Sequence, residues 1–418
     1  AFTPANHVGG HGRIDAREVV VCADDFTSRG GHADGAIGAK STYLDRLSLD
    51  LRMPSLRLLD GSSGGGSVAA MVPQQQKSGE STAEESSGAI RAGRPRVTGG
   101  GGSFLPGHLG SALYAEQLAT VPVVNLLLGS VVGIGAAKAV LGHFSVMVRD
   151  VAQLFVAGPP VVSHAMGYEV TKEELGGWHI HCANGAVDNL AESELEAFAM
   201  ARRFLSYLPQ NVWEAPQRTP CDDPEDRQEA MLAGAIPENP RQTFNPRPIL
   251  EVVFDLGSVF ELSSHFGGSL ITALARLNGW PVGVMINDPR KMGGALTRAA
   301  AAKMERFVDL CDTFHLPIVN LVDQPGVMTG PEAEAEGTLV AAIRAMHAIE
   351  QSTVPWLSLV IRRCVGLAGG MLGPLYGGDG HVLPNRYAWP SARWGSIPIE
   401  GGVAAAYRRE IEADDDSE

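Results

Sequence analysis

The chain has 418 residues, of which 44% are hydrophobic, and a formal net charge of −14. That length suits two domains and that apolar fraction supplies sizeable cores, which excludes both a disordered chain and a single small module. The acidic balance argues against a nucleic-acid partner, because phosphate binding needs clustered Lys and Arg.

The first elements repeat later in the chain. Arg13-Ile14-Asp15 lines up with Arg276-Leu277-Asn278, an offset of 276 − 13 = 263. The same offset pairs Asp25 with Asp288, Gly30-Gly31 with Gly293-Gly294, Lys40 with Lys303, Pro54 with Pro317 and Asp60 with Asp323. Each copy reads as an apolar strand, a polar turn ending in Gly-Gly, an amphipathic helix and a second strand ending in Asp. Residues 62–102 are rich in Gly, Ser and Gln, the composition of a mobile loop. Residues 118–137 then carry no charge, the length of a membrane span. Pro122, Asn125 and several glycines favour a strand buried on both faces instead.

A second repeat follows at another offset. Val121-Pro122-Val123 matches Val354-Pro355-Trp356, 354 − 121 = 233, which places Gly133 on Gly366. The difference of 263 − 233 = 30 residues is accommodated by the loop at 62–102. In each copy a strand runs into a Gly-rich turn and a small-residue helix: Gly129 to Ala137 in the first, Gly366 to Gly370 in the second. Such a turn aims backbone N–H groups at one point, a suitable cradle for a developing oxyanion, though it also serves as a packing device. Pro209 to Pro248, rich in Pro, Asp, Glu and Asn, reads as the linker between halves, with the boundary placed at 1–240 and 241–418. Apolar residues at 300, 304, 307, 308 and 311 predict a helix over 299–314. The expected fold class is α/β, two tandem halves built from parallel crossovers.

Several segments resemble the β subunits of propionyl-CoA, acetyl-CoA and methylcrotonyl-CoA carboxylases. They are Phe2-Thr3-Pro4-Ala5, Gly12-Arg13-Ile14-Asp15, Asp25 to Gly31, Met147 to Pro159, Glu173-Glu174-Leu175-Gly176-Gly177 to His181, and Phe204 to Pro209. The second half adds Asp323-Gln324-Pro325-Gly326 and Ala388-Trp389-Pro390. The resemblance runs from residue 2 to about 409 and implies two crotonase-like domains. It also implies transfer of a carboxyl group from carboxybiotin to the α-carbon of an acyl-CoA. On that resemblance Gly133 and Ile134 form the oxyanion hole for the acyl-CoA enolate, with Gly135 lining the substrate. Leu367 and Ala368, flanked by Gly366 and Gly369, take the biotin oxyanion, and Gly370 borders the acyl group. Members of the family usually carry Gly at the positions of Ile134 and Leu367, where a positive φ would be costly for these side chains. The sequence holds no Met-Lys-Met biotinylation motif, so biotin is expected on a separate biotin carboxylase/biotin carboxyl carrier (α) subunit. A homo-oligomer, a hexamer of β subunits, is the implied assembly.

Other residues admit plainer readings. His179-Ile180-His181-Cys182 suggests a metal site, but no second ligand cluster lies at useful spacing, so no metal is expected and His181 reads as a packing or substrate-lining residue. Asp323 reads as a turn residue before it reads as a general base. Lys138, Arg290, Lys291, Arg298 and Lys303 are candidates for CoA phosphates, and His143, His164 and Cys311 read as core or supporting residues. The five cysteines are scattered with no CxxC pair. With no secretory signal in view, a cytoplasmic protein without a membrane anchor is expected. Three other functions remain open: a biotin-dependent decarboxylase subunit, a non-catalytic scaffold subunit, and, least supported, a crotonase hydratase or isomerase.

Overall fold

The structure is a computed structural model and describes residues 6–27, 29–31, 35–61, 111–239, 241–374, 385–397 and 399–413. The loop expected at 62–102 lies outside the described residues. A first sheet is built from β1 (His7–Ile14), β2 (Arg17–Asp24), β3 (Ser55–Gly61), β4 (Val123–Val132), β5 (Phe144–Val148), β6 (Gln153–Phe155) and β7 (Asn189–Ala191). Its order is β1-β2-β3-β4-β5-β7, with β6 paired on β4. Only β1 and β2 are antiparallel, as a hairpin; the remaining pairs are parallel. The ends of β2, β3 and β4 therefore meet along one edge.

The second sheet uses β8 (Phe260–Leu262), β9 (Leu270–Leu277), β10 (Trp280–Asn287), β11 (Ile318–Gln324), β12 (Trp356–Val365), β13 (Asn385–Ala388) and β14 (Arg393–Gly395). Its order, β13-β12-β11-β10-β9-β8 with β14 on β12, repeats the first pattern. The bounds of β3 and β11 differ by 318 − 55 = 324 − 61 = 263. Backbone strain repeats as well. Asp15 (φ 55) matches Asn278 (φ 49), Arg52 (φ 54) matches His315 (φ 58), and Gly30 and Gly293 share φ 63. These pairs share the offset of 263, so the duplication holds at single torsion angles.

Local chemistry explains the elements. β4 carries Val123, Val124, Leu126 and Leu127 at 0% exposure, so the uncharged run is a central strand rather than a span. Among the described residues no helix is long and apolar enough to cross a membrane. The helix predicted over 299–314 forms as Arg298–Thr313, started by the Thr297 side chain, which accepts from the Ala300 N–H at 3.1 Å. It buries Ala300, Met304, Phe307, Val308 and Cys311, the stripe read from periodicity. Past Pro209 the chain crosses between halves, and Leu232, Ala235 and Ile236 pack on the cluster of Phe244, Ile249, Leu250 and Phe254.

The two sheets meet at β7 and β8. The Asn189 amide donates to Glu261 O at 3.0 Å and accepts from the Ser263 N–H at 2.9 Å, as a neighbouring strand would. Asp188 accepts from the Ser145 N–H at 2.8 Å, the Ser263 hydroxyl at 2.9 Å and Arg306 at 2.9 Å. Lys303 is buried and donates to the carbonyls of Ser263, Phe266 and Leu270. Phe144 stacks on Phe204 at 4.6 Å and meets Phe260 edge-on at 5.6 Å. One core cluster consequently runs through both halves.

Replacing Asn189 with Ala removes its bonds to the Glu261 carbonyl of β8 and to the amide of Ser263 just after it. It should cost about 2 kcal/mol, read as a lower midpoint in urea denaturation. His143 contributes to the pH dependence of stability in the same sense as a carboxylate with a depressed pKa. Its Nδ1 accepts from the Val123 N–H and its Nε2 bonds Leu118 O, both at 3.0 Å. Burial brings its pKa down to about 4. The unfolded state therefore binds the proton first, and stability falls as pH drops from about 6.5 toward about 4. A His143→Gln variant, measured by denaturation across that window, should lose this slope.

Candidate functional site

Each of the two turns begins where a parallel strand runs out. β4 ends at Val132, and Gly133 adopts φ 61, ψ −118, which a side chain resists strongly. The helix Ile134–Val140 starts at the next residue, with the Ala137 N–H closing on Gly133 O at 3.1 Å. The amides of Ile134, Gly135 and Ala136 are then first-turn donors without an i−4 carbonyl. The Gly133 N–H itself bonds Phe155 O on β6 at 3.3 Å. A Cβ built at Gly133 would meet nothing within 4 Å, so the space in front of the turn is open.

The second turn has the same construction. β12 ends at Val365, Gly366 takes φ 65, and the helix Gly366–Gly369 follows. The Gly370 N–H closes on Gly366 O at 3.2 Å, leaving the amides of Leu367, Ala368 and Gly369 as first-turn donors. At Gly369 a Cβ would lie 2.7 Å from the Cys364 carbonyl carbon, so only glycine fits. The concern raised by Ile134 and Leu367 resolves here. Neither has a positive φ, because the preceding glycine carries that torsion in both turns.

Around the first turn, polar groups close on one another. The Ser130 hydroxyl donates to Gln153 Oε1 at 2.6 Å, Lys172 donates to Ser130 at 3.1 Å, and Gln153 donates to Glu173. Asp60 packs so tightly on Gly129 that a Cβ there would fall 2.2 Å from its carboxylate. Burial raises the Asp60 pKa, as does the charge of Asp24, while Lys172 lowers it. Sequence reading missed this group, although the offset from Asp323 marks Asp60 as its counterpart.

Several expectations need correction. Asp323 is 0% exposed and bound by Arg363 through two contacts of 2.6 and 2.9 Å, so it is an ion-pair partner, not a turn residue or a base. Lys303 donates to three carbonyls and Lys138 is buried, which removes both as surface cations, while Arg290 is exposed and grips Asp288. Arg298 and Lys291 are exposed. Cys311 is buried and His143 half-buried, but His164 is exposed on the helix Pro159–Met166, which buries none of its residues. His181 is half-buried; burial pulls its pKa down and the Leu154 backbone opposes this. Among the described residues no group of three His, Cys, Asp or Glu gathers as for a metal.

Comparison with known proteins matches residues 6–418 to the carboxyl transferase domain family. The chain belongs to that family. The propionyl-CoA carboxylase carboxyltransferase subunit of Haloferax mediterranei is 31% identical over 411 residues, covering 98% of this chain and 73% of that protein. The methylmalonyl-CoA carboxyltransferase 12S subunit of Propionibacterium freudenreichii is 30% identical, covering 100% and 73%. The methylmalonyl-CoA decarboxylase subunit alpha of Veillonella parvula is 29% identical, covering 96% and 71%. A crystal structure of transcarboxylase 12S, described as a hexamer with methylmalonyl-coenzyme A and methylmalonic acid bound, superposes with a TM-score of 0.80 at 26% identity, covering 99% of this chain and 72% of that one. The two repeated halves are thus crotonase-like, and the chain is a carboxyltransferase of the biotin-dependent carboxylases.

The torsions make a discriminating prediction for this carboxyltransferase. Gly133→Ala should lower the carboxyl-transfer rate by about fivefold to a hundredfold, because the turn must deform by about 1–3 kcal/mol. Ile134→Gly should leave the rate within about twofold, since φ there is already helical; steady-state kinetics on both variants decides it.

Proposed function

We propose that the two Gly-led turns are paired oxyanion sites for moving a carboxyl group to the α-carbon of an acyl-CoA. The observation that carries this reading is the repetition of a positive-φ glycine followed by first-turn helix amides, at Gly133 and Gly366. The amides after Gly133, led by Ile134, hold the thioester oxygen as negative charge develops during loss of the α-proton. Gly135 is buried behind them and keeps the wall thin where the acyl chain passes. The amides of Leu367 and Ala368 face the other reactant, with Gly366 and Gly369 permitting close approach.

The second turn fits a bound ureido ring. Its donors are open to solvent on the side of Leu367, which is 43% exposed, and arginines 362 and 363 lie on the strand leading into it. Carboxybiotin, delivered by a separate biotin carboxylase/carrier chain, would release its carboxyl group as CO2; the freed ureido nitrogen would take the α-proton and the enolate carbon would take the CO2. The protein orients the two reactants and stabilises oxygen charge through fixed backbone dipoles. We further propose a homo-hexamer as the working assembly, by analogy with the 12S structure. Similarity to the Veillonella decarboxylase subunit supports one second reading, in which the same turns run the transfer in reverse.

Gly370 sets the acyl preference in this proposal. It is exposed, and a Cβ there would sit 3.2 Å from Leu367 O, so a larger side chain would crowd the entrance. Bicarbonate fixation by the native complex across acyl-CoA lengths should be faster on longer chains than on propionyl-CoA. Gly370→Asp should cut the longer substrates by about tenfold or more while sparing the shortest. Equal turnover at all lengths in both proteins would refute the pocket assignment, and fixation on none would refute the proposed activity.

A further inference from the structure

Two polar residues face one another inside each sheet. In the first half Arg57 on β3 lies across from Asn125 on β4 in parallel register. In the second, Asn320 on β11 lies across from Ser358 on β12. The pairs are equivalent, since 320 − 57 = 263 and 358 − 125 = 233, the two offsets of the repeat. All four residues are buried, where a polar group needs a partner to offset its lost hydration.

Each pair finds that partner behind the helix that follows the turn. The Asn125 amide donates to Lys138 O at 2.9 Å and Ala139 O at 3.2 Å. Arg57 donates to Leu141 O at 3.1 Å and is itself held by Asp45 at 3.2 Å and Gln117 at 2.6 Å. In the second half Ser358 donates to Leu372 O at 2.8 Å and Asn320 to Met371 O at 3.4 Å. Met371 and Leu372 are the counterparts of Lys138 and Ala139, again at the offset of 233. The residue types differ between the halves, but the register and the segment gripped do not.

That segment is the far end of a short rigid body. The helix Ile134–Val140 has seven residues, about 10 Å by its rise. Its near end hangs from Gly133, which has no side chain to fix it and whose N–H makes one bond of 3.3 Å. A body held at one flexible point can swing, and a second fixed point at its other end stops the swing. Aim matters because a misplacement of about 1 Å can cost about a hundredfold in rate.

We propose that Asn125 with Arg57, and Ser358 with Asn320, are positioning residues for the two oxyanion turns. Each cross-strand pair ties the rear of the helix to the strands beneath it, so that the amides after Gly133 and Gly366 keep their direction. The proposal rests on the transfer reading above and divides its labour. The first pair serves the thioester oxygen of the acyl-CoA, and the second serves the oxygen of the carboxyl donor.

The test uses Asn125→Ala, Asn125→Ser and Ser358→Ala in the full chain, the second because serine fills this position in the other half. Amide hydrogen exchange reads the turns without any reaction. Asn125→Ala should speed exchange over residues 133–141 by about tenfold and leave 366–372 unchanged, and Ser358→Ala should do the reverse. Affinity then reads the aim. Nitroethyl-CoA, ionised to its nitronate, carries negative oxygens near the place of the enolate oxygen, whereas ethyl-CoA carries none. Asn125→Ala should bind the nitronate about tenfold more weakly and ethyl-CoA within about twofold of wild type. Asn125→Ser should regain part of the loss, and Ser358→Ala should alter neither affinity. With the native biotinylated partner, both alanine variants should lose about tenfold in kcat at unchanged KM. Ser358→Ala removes a single hydroxyl and carries the exchange and kcat tests if Asn125→Ala does not fold. Faster exchange with nitronate affinity and kcat at wild-type values would make the pairs structural only and overturn the proposal, as would equal weakening of both CoA compounds. Unchanged exchange and kcat in every variant would overturn it too. Wild-type protein that transfers no carboxyl group, yet whose preference for the nitronate falls in Asn125→Ala, would overturn the transfer reading and leave the first pair standing as a positioning device.

Discussion

In each half one parallel strand stops and becomes a helix through a single glycine of positive φ. These glycines are Gly133 and Gly366, with φ 61 and 65, and everything chemical about the site follows from them. The abrupt change releases three backbone amides at the start of each helix and points them out of the sheet edge. A side chain at either glycine would make the junction more gradual and turn those donors elsewhere. The residues that follow are then free to vary, which is how Ile134 and Leu367 occupy places that relatives usually give to glycine.

The turns are useful only if the sheets that carry them are held in place. Here the junction between halves is polar as well as apolar. Asn189 stands in for a strand against β8, Asp188 gathers donors from β5, β8 and the helix Arg298–Thr313, and Lys303 collects three carbonyls. Buried groups of this kind are directional, so a displaced partner leaves an unpaired donor or charge at a cost that apolar contacts alone would not impose. Phe144, set between Phe204 and Phe260, adds the apolar contact across the same seam.

Duplication gives the two halves a common frame and lets their differences be read as function. Asp60 and Asp323 occupy equivalent strand ends, yet one faces Gly129 and Lys172 and the other is gripped by Arg363. The first turn stands among carboxylates and a closed hydrogen-bond relay, the second among guanidinium groups. Two turns with the same backbone thereby acquire opposite electrostatic surroundings, suited to reactants of different charge.

The repeat, the strand-to-helix turns and the apolar stripe of the helix Arg298–Thr313 were legible in the residues, because each is a local pattern. A glycine at a required torsion, a 3.6-residue period and a fixed offset all survive in one dimension. The resemblance to carboxylase β subunits pointed to the same two turns. The roles of Asp323, Lys303 and Lys138 did not survive, since a charged residue reads as surface until its partner is known. Nor did the crowding of Arg363 and Arg393, which are 393 − 363 = 30 residues apart and meet only because β14 pairs with β12. Sequence therefore dictated where the backbone turns and which faces are apolar, both short-range consequences of torsion and period. Which charges are neutralised was settled only by strand pairing, because electrostatic energy depends on distance in space and not along the chain.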